Sequence, residues 1–347
     1  MNHTTTLVDA QAPPHARLIE MATAYWASRA LFVAARIGLA DHLANGPRSA
    51  AEVAPATMTH APSLHRLMRV LASLGVLAED GQHRFSLTPL GDALRTGAPG
   101  AARSTVLALA GDWWWRGWDH VLHCVETGET GMQRAWGTSV FEFLAAHPDE
   151  ASYFNDAMIG FHGAEPAAVA NACDFSRFGT VVDVGGGTGN LLAAVLQRHR
   201  HVRGVLADRA HVVAAAPAVL GAAGVADRVT LEAIDFFEGV PGGGDAYVLS
   251  HVIHDWDEAR CLALLRICRA AMTAASRLLI VETALGTGEG ALSGTLLDLA
   301  MLVMPGGQER TADEYRTLLA AAGFTLTSVT PTASAVSVIE AQPSRES

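Results

Sequence analysis

Residues Val181 to Asn190 read VVDVGGGTGN, and no other stretch limits so tightly what this chain can fold into. A short β-branched run meets adjacent glycines and then enters LLAAVLQRH, whose apolar residues recur at helical spacing. Strand, tight turn and helix in that order open a βαβ unit, and such units commonly hold a nucleotide-like ligand at the turn. Glycine suits that turn because it adopts positive φ freely, and because a ligand lying against the backbone leaves no room for Cβ. Gly185, Gly187 and Gly189 make GxGxG, whereas the dinucleotide fingerprint needs glycine where Asn190 stands. No Walker-type lysine follows, so a phosphate cradle is not indicated.

A GxGxG turn preceded by an acid, Asp183, suits S-adenosylmethionine, which has no phosphate to seat on the helix. The next acid supports this. Asp208 ends the apolar run VRGVLAD, 19 positions after Gly189. An acid at the tip of the second strand, about 20 residues on, accepts hydrogen bonds from ribose hydroxyls.

At 347 residues, half of them hydrophobic and only 17% charged, the chain has material for a large core and two domains. A net charge of −11 argues against nucleic acid or an anionic membrane surface as the main partner. All 24 basic residues are arginine, a pattern we ascribe to coding bias. Cys124, Cys173, Cys261 and Cys268 show no C-x-x-C pairing or disulfide framework, which fits a reducing cytoplasm. No signal-peptide pattern opens the chain, and no run of apolar residues is long enough to span a bilayer.

The expected organisation is a flexible arm at 1–16, a helical winged-helix domain at 17–100, a helical connector at 101–170 and a catalytic α/β domain at 171–347. In APSLHRLMRVLASLGVLAEDGQHRFSLTPLGDAL, a helix with Ser63 as N-cap ends near Gly75, and VLAED and HRFSLT form a two-stranded wing. From 180 onward strands alternate with helices, at 180–184, 202–208, 228–235, 246–253 and 277–283. The last two, 324–330 and 335–341, leave no room for a crossover helix and form an antiparallel hairpin. Five parallel strands and a hairpin describe a doubly wound, Rossmann-like sheet of seven strands.

A winged helix also raises a DNA-binding regulator. Residues 1–100 carry eight arginines against seven acids, and LHRLMRVLASLG offers only Arg66 and Arg69. A recognition helix needs a basic stripe to neutralise phosphates, so a dimerisation or packing module is the better reading.

Catalytic groups of open α/β sheets collect beyond the carboxyl ends of the strands. The fourth strand delivers His254-Asp255-Trp256-Asp257, with Asp257 as N-cap of the next helix. His254 thus sits at the mouth of the crevice, while His251 is expected still within the strand. Trp256 is an expected apolar wall. Glu282, ending the fifth strand, and Glu309, in PGGQERT, are both candidates to accept the Nδ1 hydrogen of His254. Such an assembly removes a proton from a hydroxyl attacking a sulfonium methyl. A phenol near ~10 and an imidazole near ~6.5 leave a gap of roughly 5 kcal/mol, which a neighbouring carboxylate narrows. No metal is expected in this chemistry.

These motifs together (DVGGGTGN, Asp208, DRVTLEAIDFFE, HVIHDWDE and DLAMLVMPGGQERT) closely resemble those of class I S-adenosylmethionine-dependent O-methyltransferases of the plant caffeate and acetylserotonin type, in their bacterial natural-product branch. The resemblance covers nearly the whole chain. It implies that Asp183, Gly185, Gly186 and Gly187 hold the methionine part of the cofactor, that Asp208 takes the ribose, and that Asp235 and Phe236 hold the adenine. Arg209, Ser250 and Trp256 fall beside them. His254 would be the base, flanked by Glu282 and Glu309. Phe154, Met158, Phe161, His162, Asp298 and Met301 would line the acceptor pocket, and the tryptophan cluster beginning at Trp113 is a further candidate for it from its aromatic character. Two departures stand out: Arg209-Ala210 replaces a common Leu-Pro, and Ser250 replaces a common basic residue. The family's winged-helix domain pairs two subunits, so a homodimer is implied. The aromatic side chains suggest an apolar aromatic acceptor, such as a phenol; methyl transfer to nitrogen or carbon is the rival within the class.

Overall fold

The computed structural model describes residues 13–100, 102–286 and 291–344, and the chain divides into two compact units. One holds the residues up to Arg116 together with Phe141–Gly163; the other holds Gly117–Val140 and everything from Ala164 on. The segment 101–170, read from sequence as one connector, is therefore shared between them. Most of the expected arm lies outside the described residues, and helix begins at Pro14.

In the first unit the helix Ala61–Ser73 packs Leu64, Met68 and Leu71 into a core with Val53, Leu43 and Phe85. Each such side chain stabilises the fold by about 1.5–3 kcal/mol through burial. The wing follows as β1 (Leu77–Glu79) and β2 (Phe85–Leu87), paired antiparallel with Glu79 opposite Phe85. One boundary differs from expectation. The helix starts at Ala61 with His60 as its cap residue, because Pro62 fits the first helical turn, where its missing N–H costs nothing. Ser63 lies inside the helix, its hydroxyl 3.0 Å from His60 Nδ1.

The second unit is built on a seven-stranded sheet. Its strands are β3 (Thr180–Val184), β4 (Arg203–Asp208), β5 (Val229–Ala233), β6 (Ala246–Ser250), β7 (Arg277–Glu282), β10 (Phe324–Pro331) and β11 (Ser337–Pro343). The first five are parallel, and the β10–β11 hairpin closes the sheet antiparallel to β7, in the order β10-β11-β7-β6-β3-β4-β5. β8 (Ala284–Leu285) and β9 (Arg310–Thr311) form a separate parallel pair. Val181, Val182, Tyr247, Leu249, Leu278 and Ile280 are all fully buried, as expected of parallel strands covered on both faces. Cys261 and Cys268 are core residues of the helix Glu258–Ala271. Chain order reverses between β3 and β6, and the crevice at such a switch point is where doubly wound sheets bind ligands. Among the described residues, no helix is long and apolar enough to cross a membrane.

Candidate active site

The glycine turn leaves β3 with Gly185, Gly187 and Gly189 all at positive φ, between 61° and 85°. Two separate reasons select glycine here. A Cβ on Gly185 would lie 2.9 Å from Val252 Cγ2, and one on Gly186 would lie 2.5 Å from the Asp183 carboxyl and from Leu206, so protein atoms crowd both positions. Gly187 has open space instead, leaving its backbone free for a ligand to approach.

Beneath the turn, Asp183 is 1% exposed and neither of its carboxylate oxygens meets a donor. Burial, with the nearby charge of Asp208, pushes it up to about 7. A buried carboxylate without a donor is costly, and a cationic ammonium such as that of the methionine moiety is the kind of group that relieves it. Asp208, at the end of β4, accepts from the Gly187 N–H at 2.8 Å and the Arg209 N–H at 2.6 Å, which fixes the carboxylate at the crevice with acceptor capacity left. Arg209 is the cap residue of the helix Ala210–Val213. Asp235 accepts from the Phe237 N–H at 2.9 Å, and Phe236, Phe237 and Trp256 form an edge-to-face cluster with centroids 4.9–6.1 Å apart. Trp256 therefore belongs to the wall made by Phe236 and Phe237. Ser250 is the last residue of β6 and half-buried. These residues fit S-adenosylmethionine: an acid without a donor, an open glycine, a carboxylate anchored with acceptor capacity to spare, and an aromatic wall.

The strand ends one residue before His251, contrary to the expectation that it runs through it. His251 has φ 54°, a left-handed conformation that cannot continue a strand and is uncommon for any residue but glycine. Its Nε2 lies 2.7 Å from Glu165 Oε2, and its ring centroid lies 5.3 Å from that of His254. The chain then makes a 3₁₀ turn, Ile253–Asp255, that buries His254. Asp257 caps the following helix, accepting from Arg260 N–H at 2.8 Å, as the sequence indicates.

The two acids expected around His254 divide the work. Glu309 Oε1 accepts from His254 Nδ1 at 2.7 Å, so Nε2 is the nitrogen that faces outward from the pair. Glu282 does not reach the ring. Its Oε1 accepts from the N–H groups of Val252, Ile253 and His254 at 3.1, 2.6 and 3.0 Å, and its Oε2 accepts from the Tyr315 hydroxyl. Glu282 is a clamp for the turn that carries the histidine. Burial lowers the basicity of His254, but Asp255, 3.6 Å from Nε2, together with Glu309 and Glu282 outweighs it and raises the imidazole to about 10. Burial also raises Glu309, against the pull of the imidazolium. His254, Glu282 and Glu309 lie close enough to ligate a metal, yet four donors already engage the oxygens of Glu282 and Nδ1 is bonded to Glu309.

Asp298 and Met301 sit on the helix Ala291–Val303. Asp298, expected in the acceptor pocket, accepts from the Glu309 N–H at 2.9 Å and so holds the loop of Glu309; Met301 is 7% exposed. In the other unit Trp113 stacks on Phe143 at 5.3 Å and meets Phe154 edge-on at 6.0 Å. Met158 lies one turn beyond Phe154 on the helix Pro148–Phe161, which Phe161 ends and His162 follows as cap residue. Three contributors carry no sequence signal of their own: Tyr315, Glu165 and Gly307. A Cβ on Gly307 would lie 1.9 Å from the His254 carbonyl oxygen, so PGGQE needs its second glycine to let the two loops touch.

Comparison with known proteins identifies the family. The model of the O-methyltransferase dimerisation domain matches residues 19–97, and that of the O-methyltransferase domain matches 118–325. Phenazine O-methyltransferase PhzM of Lysobacter antibioticus is 46% identical over 326 residues, covering 94% of this chain and 95% of that protein. The crystal structure of LaPhzM superposes with a TM-score of 0.90 at 45% identity, over 96% of this chain and 100% of the other. That of NcsB1, from neocarzinostatin biosynthesis, in complex with S-adenosylmethionine and 2-hydroxy-5-methyl naphthoic acid, gives 0.81 at 34% identity, over 91% and 95%. With both domains matched in order and relatives aligned almost end to end, the chain belongs to the O-methyltransferases that join a dimerisation domain to a methyltransferase domain.

Proposed function

We propose that this S-adenosylmethionine-dependent O-methyltransferase methylates a hydroxyl on a small aromatic acceptor, in the biosynthesis of a secondary metabolite, with His254 as general base. The observation that carries the reading is the buried His254–Glu309 pair, 2.7 Å apart, at the switch point of the sheet. When bound, the sulfonium supplies the methyl group. His254 takes the hydroxyl proton at Nε2, Glu309 fixes the tautomer, and Glu282 holds the turn. Raising the imidazole to about 10 balances proton transfer from a phenol near ~10, and the roughly 5 kcal/mol that an ordinary histidine would leave moves to freeing the imidazole of its own proton at neutral pH. General-base help is typically worth about 10² to 10⁴ in rate, and alignment supplies much of the rest.

Support for an aromatic acceptor comes from relatives that act on a phenazine or bind a naphthoic acid. On this reading Trp113, Phe154, Met158, Phe161, His162 and Met301 serve the acceptor, and Asp183, Asp208, Asp235 and Phe236 serve the cofactor. The dimerisation domain supports a homodimer, as do the exposed Leu18, Ile19, Met21, Tyr25 and Trp26 of its first two helices, and light scattering tests it. Four free cysteines fit a reducing cytoplasm.

The test is titration of S-adenosylhomocysteine into wild type and His254→Ala, followed by turnover of a panel of phenols with both. Equal binding with methylation by wild type alone is expected. Equal turnover would make His254 structural and favour a nitrogen or carbon acceptor. Loss of binding in both would remove the cofactor site.

A further inference from the structure

Away from the chemistry, the wing carries a cluster that the methyltransferase reading does not use. His65 stands midway along the helix Ala61–Ser73, Glu79 ends β1, and His83 stands in the turn between β1 and β2. Each offers one ligand atom, and these atoms all lie within 4.8 Å of one another. His83 Nδ1 is 2.7 Å from Glu79 Oε1, and the rings of His65 and His83 meet edge-to-face at 5.6 Å.

Two features show that the cluster is held in place. First, His83 has φ 59°, at a hairpin position that glycine or asparagine fills with less strain. Second, the turn is braced on both sides. Asp80 accepts from the N–H groups of Gln82 and Arg84 at 2.8 and 2.9 Å, and Arg84 donates to the Pro47 carbonyl at 2.6 Å. His65 packs edge-on against the fully buried Phe85, at 5.6 Å. A left-handed histidine on a rigid turn places its ring between a carboxylate and a second imidazole.

We propose that His65, Glu79 and His83 form a surface site for a divalent transition-metal ion such as Zn²⁺, with water completing the coordination and the ion tying the wing to the helix. Two imidazoles and one carboxylate are the ligand types that zinc accepts, at about 2.0–2.2 Å each. A tetrahedral ion at those lengths spaces its ligands roughly 3.3 Å apart, within reach of side-chain rotation from the observed positions. The same set disfavours Mg²⁺ and Ca²⁺, which take oxygen ligands. The ion takes no part in proton removal from the acceptor, since His254, Glu282 and Glu309 lie in the other unit.

The experiment is calorimetric titration of ZnCl₂ into full-length protein stripped with EDTA, for wild type, His65→Gln and His83→Asn. The asparagine variant suits the left-handed turn, so it removes the ligand without unfolding the wing. Wild type is expected to bind one more zinc ion than either variant, or to hold that ion at least tenfold more tightly, and zinc should raise its Tm more. Methylation by the EDTA-stripped protein should match that of untreated enzyme in all three. Absence of zinc binding by wild type would overturn the site, as would identical stoichiometry and affinity in the three proteins, which would place the zinc on other histidines.

Discussion

His254 Nδ1 and Glu309 Oε1 lie 2.7 Å apart in a pocket where the two residues are 7% and 3% exposed. On the proposed mechanism this bond leaves Nε2 to receive the acceptor's proton, because Nδ1 is committed to the carboxylate. Glu309→Gln keeps the shape and removes the charge. A glutamine can also present its NH₂ to the ring and select the wrong tautomer. We expect kcat to fall by about 10² to 10⁴, with the affinity for S-adenosylhomocysteine unchanged. Steady-state kinetics with parallel calorimetry checks both halves.

The raised basicity of His254 fixes the direction of the pH dependence. Its folded value, about 10, lies above an unfolded value near ~6.5, so its contribution to stability is fully present below pH ~6.5 and is lost as pH rises through about 10. Reactivity runs the opposite way, because the base form appears only as the proton leaves. The acid limb of kcat/KM, which reports the free enzyme, should therefore lie well above pH 6.5. Asp255→Asn removes one of the charges that raise it and should move that limb to lower pH. A limb left in place would show that Asp255 does not act on the ring.

Glu282 is expected to behave as a structural acid despite its place beside the base. Tyr315→Phe leaves a fully buried carboxylate short of one donor, a loss of about 1–3 kcal/mol, while the three backbone bonds remain. We expect a Tm several degrees lower with kcat within a few-fold of wild type at permissive temperature. Glu282→Gln should do more damage, since an amide cannot accept as many N–H bonds. Thermal melts beside kinetics at 20 °C separate stability from catalysis.

Gly307→Ala tests how closely the loops must touch. Its Cβ would meet the His254 carbonyl oxygen at 1.9 Å and the Asp255 carbonyl carbon at 2.6 Å, both backbone atoms that cannot swing away. The two loops must separate, and the His254–Glu309 bond separates with them. Activity should fall at least 10²-fold, in keeping with the cost of misplacing a catalytic group by about 1 Å, while cofactor binding persists. Wild-type kcat in the alanine variant would mean that the loops move without disturbing the pair.

These residues also show where sequence reasoning stops. The parallel strands were legible because burial on both faces writes near-continuous apolar runs, as in AYVLS, and the glycine turn because positive φ selects glycine. The position of His254 just beyond a strand was legible from the apolar run that precedes it. The division of labour between Glu282 and Glu309 was not, since both are acids at loop ends and only the fold shows which reaches the ring. Strand length failed at His251, where the left-handed backbone leaves no trace in residue type. The bond of Asp298 to the Glu309 N–H was equally hidden, because it depends on a helix and a loop meeting in space. Tyr315 and Gly307 act through tertiary contacts that no local pattern encodes.

Asp183 carries the last prediction, because one substitution should move two observables in opposite directions. A buried carboxylate without a donor favours the neutral form, and Asp183 accordingly stands at about 7 against an ordinary value near ~3.9. The folded value is raised, so the stability this group contributes is present below pH ~3.9 and is lost as pH rises through about 7. Above that pH the ionised group opposes folding by up to about 4 kcal/mol, from roughly three units at 1.36 kcal/mol each. Asp183→Asn removes that cost, so the variant free of cofactor should melt at a higher temperature than wild type at pH 8, with the gain reduced to roughly a third at pH 5 and gone below pH ~3.9. If the carboxylate receives the ammonium of the cofactor, the same change should weaken S-adenosylhomocysteine binding at least tenfold. Higher stability with unchanged affinity would mean that Asp183 shapes the turn without touching the ligand. Lower stability at pH 8 would mean that a donor reaches the carboxylate in solution.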